Sequence, residues 1–121
     1  KEFEEKYLRA STELGKAKEF EFKAKLEDKF KIRLRNYLSS DGQIEFDLTG
    51  ERNNIYYIFE IKWRNKPASY IDLRRFLEKV GDSEFSRKSG KLFFISKAGF
   101  TVEALNFAHE NQIAVSDGSD F

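Results

Sequence analysis

The strongest constraint on this chain is a hairpin written into residues 44–63. Ile44, Glu45, Phe46, Asp47 and Leu48 alternate apolar with acidic, and residues 55–63 form a β-branched and aromatic run, so each stretch predicts a strand. Asn53 and Asn54 lie between them. Asparagine tolerates positive φ better than other non-glycine residues, which makes this pair the expected two-residue turn. That turn sets a register in which Arg52 faces Ile55, Asp47 faces Glu60 and Glu45 faces Lys62. Opposed Cβ atoms lie about 4.5–5.5 Å apart and alternate residues share a face, so the four polar groups gather on one side. Phe46, Leu48, Phe59, Ile61 and Trp63 are expected on the other. A slip of one residue would part Asp47 from Glu60.

Two carboxylates held this close repel each other, and a divalent cation is the usual way to keep both ionised at neutral pH. The chain has no cysteine and a single histidine, so hard oxygen ligands for Mg²⁺ or Mn²⁺ are expected rather than a zinc site. Such a cation keeps several waters and accepts phosphate oxygens, which suits phosphodiester hydrolysis, with Lys62 orienting water or balancing the developing charge. The same four side chains would equally form a cross-strand ion-pair cluster on a solvated sheet face.

Asp47, followed by Glu60-x-Lys62 at the end of an apolar strand, resembles the PD-(D/E)XK nuclease signature, and the flanking sequence resembles its Mrr-like restriction endonuclease branch. Phe20-Glu21 with Ala24 and Leu26 is similar to the family's Phe-Glu helix before the first core strand. Gly99-Phe100-Thr101-x-x-Ala104 with Phe107-Ala108 is similar to the helix after the fourth strand, and Ile113-x-x-x-Asp117-Gly118 to the strand and turn beyond it. The resemblance spans residues 15–118. It implies an α/β fold of restriction endonuclease type, αβββαβαβ in three layers around a mixed sheet. It further implies that Asp47 and Glu60 ligate Mg²⁺ or Mn²⁺ with the Ile61 carbonyl, that Lys62 is the catalytic lysine, and that Glu21 is an accessory acid from the first helix. Phe46 stands where the family has proline, and Glu60 where many Mrr-like members have glutamine. Glu45 is an additional acid whose part, in a second metal site or in pairing with Lys62, is open.

The remaining pattern fits one domain over residues 1–121, with 40% hydrophobic and 16% aromatic residues to supply a core. Phe3, Tyr7, Ala10, Leu14 and Ala17 recur at helical spacing, and Phe20, Ala24 and Glu27 carry a helical phase onward, giving one long helix or two around Gly15. A strand is expected over residues 29–38, where Lys31, Arg33 and Arg35 alternate with apolar residues and make a basic row. Ser69 caps a helix with Leu73, Phe76, Leu77 and Val80 on one face, ended by Gly81. Residues 92–96 form a buried strand, Thr101 caps another helix, and residues 113–115 form a last strand. Trp63 belongs to the core and His109 to the surface.

Charge adds little by its total, since 22 basic residues nearly balance 21 acidic ones for a net +1. Its distribution adds more: Arg64, Lys66, Arg74, Arg75, Arg87, Lys88 and Lys91 follow the acidic pair and as a cluster suit nucleic-acid phosphates, while taken singly most of them read as solvated surface. No run reaches the roughly 18 apolar residues of a membrane helix, and no signal peptide is visible, so a cytoplasmic protein is expected. The absent initial methionine suggests a segment of a longer protein with a fused or associated regulatory domain. Two function classes follow. The first is a Mg²⁺-dependent DNA endonuclease domain, the effector of a restriction or defence protein, acting as a homodimer where both strands are cut. The second is an inactive version of the fold used for DNA docking or oligomerisation.

Overall fold

The computed structural model describes residues 2–120, with side chains for residues 16–120. The hairpin forms as its residues dictate: β2 (Glu45–Arg52) and β3 (Ile55–Lys62) pair antiparallel through a turn in which Asn53 and Asn54 have φ of 54° and 64°. Two consecutive left-handed residues give the turn a twist that matches the strands. Arg52 faces Ile55, and the register runs as expected up to Leu48 opposite Phe59, where the ladder ends.

Around the hairpin stand α1 (Glu2–Phe30), β1 (Arg35–Leu38), α2 (Tyr70–Gly81), a short 3-10 helix (Glu84–Arg87), β4 (Gly90–Ser96), α3 (Val102–Glu110) and β5 (Ile113–Ser116). The result is a mixed α/β fold, its five-stranded sheet ordered β1-β2-β3-β4-β5, antiparallel through β3 and parallel from β3 to β5. Ser69 caps α2 in a reciprocal box with Asp72, and Thr101 caps α3 through the Ala104 N–H. Both helices face one side of the sheet, where Leu73, Phe76, Ala104 and Ala108 bury against Ile58 and Phe94. On the other side α1 contributes Phe22 and Leu26, packed with Leu48, Phe59 and Ile95.

Three expectations are corrected. Residues 29–34 are not strand: α1 runs to Phe30, Lys31 turns the chain with φ of 55°, and only Arg35 of the supposed basic row lies on β1. Ile32 and Leu34 still alternate inward, but as an extended segment over β2. There the Glu27 carboxylate accepts the Leu34 N–H at 2.8 Å, and Gly50 leaves room for the Arg33 carbonyl. The inward phase of α1 is Phe22 and Leu26 rather than Phe20 and Ala24, and Phe20 is 77% exposed. The expected stripe from Phe3 to Leu14 lies outside the described side chains.

Phe46, third, is on the α2 side of the sheet and not with Leu48, Phe59, Ile61 and Trp63. Between Arg35 opposite Thr49 and Tyr37 opposite Phe46, β2 carries one residue more than β1. This bulge resets the alternation, and the Asn36 amide closes it by donating to the Phe46 carbonyl at 3.1 Å.

Candidate active site

The bulge and the end of the β2–β3 ladder coincide at Asp47. In place of a backbone partner, its carboxylate Oδ2 accepts the Ile61 N–H at 2.7 Å. Backbone groups of successive strand residues point to opposite sides. The Lys62 carbonyl accepts the Lys97 N–H next to β4, so the N–H and C=O of Ile61 both face β2 and Asp47. The Ile61 carbonyl therefore lies on the Asp47 side of β3.

Glu60 is 6% exposed on the same strand. Burial pushes the Asp47 carboxyl up to about 7, and the Glu60 charge beside it adds to that rise, as does Glu19 more weakly; the Ile61 N–H opposes it. The two carboxyls are near enough to share a hydrogen bond when one is protonated. Lys62, two residues beyond Glu60 and so on its face, is half-buried and makes no side-chain ion pair among the described residues.

Of the acids on the first helix, the one expected at the site, Glu21, lies on the exposed face. Glu21 is exposed and pairs with Lys18 at 3.1 Å and Lys25 at 3.3 Å, which hold its carboxyl below the usual range, the Lys18 hydrogen bond first. Two residues on a helix are about 200° apart, so Glu21 points away from the sheet. Glu19 points toward it. Burial raises its carboxyl, as do the charges of Glu45 and Glu60, and Asn36 hydrogen-bonds to it. Glu19, Phe22 and Leu26 follow the i, i+3, i+7 rule of one helix face, so the true inward phase would have identified Glu19 from the sequence.

Glu45 does not meet Lys62. The bulge turns it toward β1, where the Asn36 amide donates to it at 3.1 Å. Unforeseen is Lys79, from the last turn of α2. Its ammonium donates to Glu60 Oε2 at 2.6 Å and stands 5.0 Å from the centre of the Phe46 ring. A lysine nineteen residues beyond Glu60 carries no local pattern; only the inward face of α2 points to it.

The basic residues divide. Arg64 pairs with Asp72 at 2.5 Å and Arg74 with Glu78 at 3.3 Å, while Lys66 and Arg75 are exposed. Arg87, Lys88 and Lys91 flank the opposite end of β3, where Gly90 faces Tyr56, about 20 Å of strand from Lys62. Trp63 is half-buried against Phe22 with Lys18 over its ring, and His109 is exposed.

Among the described residues, no three or more His, Cys, Asp or Glu side chains are gathered in a form able to hold a metal ion. The fit of a divalent cation rests instead on two adjacent carboxyls, one held near neutrality in its pKa, and a main-chain carbonyl, all hard oxygen donors. Among the described residues, no helix is long and apolar enough to cross a membrane.

No family model and no curated protein matches the chain. A crystal structure of a protein of unknown function, AF1548, is similar in fold, with a TM-score of 0.59 at 19% identity over 76% of this chain. The match covers 52% of that protein, so this chain corresponds to about half of it.

Proposed function

We propose that this chain is a divalent-cation-dependent DNA endonuclease domain with a restriction endonuclease-like fold of the PD-(D/E)XK type. The observation that carries the reading is the Asp47–Ile61 hydrogen bond, which holds one carboxyl beside a second, Glu60, where the sheet ladder opens. Asp47, Glu60 and the Ile61 carbonyl would hold Mg²⁺ or Mn²⁺. Bound there, the cation supplies Lewis-acid polarisation of the phosphodiester and a lowered pKa for water. The chain's own residues do the rest. Lys62 brings an ammonium to the phosphate and balances the charge that grows on its oxygens. Glu19 adds negative charge from α1 beside Asp47, strengthening the hold on a cation. Lys66 and Arg75, both exposed, suit backbone phosphates.

The Lys79–Glu60 ion pair favours a second reading, an inactive DNA-docking module, because it already neutralises one ligand. Supercoiled plasmid separates the two when incubated with the protein in Mg²⁺, Mn²⁺ or EDTA, beside Asp47→Ala and Lys62→Ala. Nicking that needs metal and disappears in both variants supports the nuclease. Equal inactivity of all three proteins, with salt-dependent DNA binding retained, supports the docking module.

A further inference from the structure

We infer that Lys79 is a built-in counter-ion that occupies Glu60 until a divalent cation displaces it, so that this lysine sets the affinity of the site for metal. The inference rests on the metal site proposed above and extends it to a residue outside the Asp47, Glu60, Lys62 set.

The geometry carries it. Glu60's side chain is 8% exposed and sits beside a second carboxyl, a position where an unpaired carboxylate is costly. Lys79 reaches it from α2 with its own side chain 29% exposed, so the ammonium keeps a path to solvent. The ammonium contacts Oε2 at 2.6 Å, and its position over Phe46 adds a cation–π contact that anchors it on the α2 side. Lys62 has no such partner among the described side chains, and the two lysines thus have different work.

A cation and an ammonium compete for one carboxylate. Metal bound to Glu60 releases Lys79, and whatever stabilises the Lys79–Glu60 pair is subtracted from the metal affinity. Reciprocally, the metal weakens the hold of Lys79. The freed ammonium stays tethered within a side chain's length of Glu60, where it suits an incoming phosphate, so that metal loading and an added phosphate contact occur together.

The test compares wild type with Lys79→Met, which keeps an apolar stem over Phe46 but removes the charge, and with Lys79→Arg, which keeps it. Mn²⁺ affinity is measured by titration calorimetry at pH 8, and melting temperature in EDTA. Lys79→Met is expected to bind Mn²⁺ about tenfold tighter and to melt roughly 5–10 °C lower in EDTA, with saturating Mn²⁺ restoring most of the difference. Lys79→Arg stays within about threefold of wild type. If Lys79→Met fails to fold, Lys79→Gln serves in its place. Unchanged or weaker Mn²⁺ binding in the charge-removing variant overturns the counter-ion role while leaving the metal site standing. No saturable Mn²⁺ binding to either protein overturns the metal site itself, and this inference with it.

Discussion

Replacing Asp47 by asparagine is expected to make the protein more stable while removing its proposed chemistry. Asparagine is isosteric, and its carbonyl oxygen retains the hydrogen bond from the Ile61 N–H. What changes is the charge facing Glu60. The native carboxyl is displaced from 3.8 to about 7, burial first and Glu60 second. At about 1.4 kcal/mol per pH unit, that displacement is worth about 4 kcal/mol as an upper figure. The sign follows from the direction. A carboxyl whose pKa is raised by folding stabilises the fold when protonated, so its contribution is complete below about pH 4 and is lost as pH rises through about 7. The amide that replaces it does not titrate. The variant and wild type should therefore be equally stable near pH 4, and the variant ahead by about 2–4 kcal/mol at pH 8.5, or roughly 8–15 °C in melting temperature for a chain of this size. Thermal melts by circular dichroism in EDTA from pH 4 to 8.5 give the curve directly. A difference that does not change with pH, or a variant less stable at pH 8.5, would refute the claim that two crowded carboxyls strain this site.

Glu19 and Glu21 offer a contrast within one turn of α1. Glu19→Gln should weaken Mn²⁺ binding about three- to tenfold by removing a charge near Asp47, whereas Glu21→Gln, exposed and paired with Lys18 and Lys25, should leave it unchanged; calorimetry on the two variants decides, and equal effects would refute the distinction between them. Gly50→Ala places a methyl group against the Arg33 carbonyl and 2.9 Å from the Ile32 and Leu34 side chains, so a loss of more than about 2 kcal/mol is expected in urea unfolding, and a neutral outcome would contradict the packing of residues 31–34 on β2.

The hairpin was legible because its information is local: an alternating strand, two asparagines and an apolar run specify a register without reference to the rest of the chain. The caps Ser69 and Thr101 were legible for the same reason. The bulge at Asp47 was not, because it arises from the mismatch between β1 and β2 and from an asparagine eleven residues away that satisfies the freed carbonyls. It moved Phe46 across the sheet and Glu45 away from Lys62. Residues 29–34 misled because alternation registers burial on two sides, and an extended segment lying on a sheet alternates as a strand does. Glu21 was singled out by a family resemblance, but it lies on the exposed face of α1 and Glu19 on the face toward the sheet. Lys79 depended on how α2 lies over β3, which is a tertiary fact without a sequence period.

The most direct measurement is calorimetric titration of the metal-free protein with Mn²⁺ at pH 6.5 in two buffers of different ionisation enthalpy. If Asp47 and Glu60 form one cation site with Asp47 near pKa 7, binding should be saturable, release about 0.5–1 proton per ion at pH 6.5, release little at pH 8.5, and vanish in Asp47→Ala and Glu60→Ala. Absence of binding, or binding with no proton released and no loss in either variant, would contradict the account.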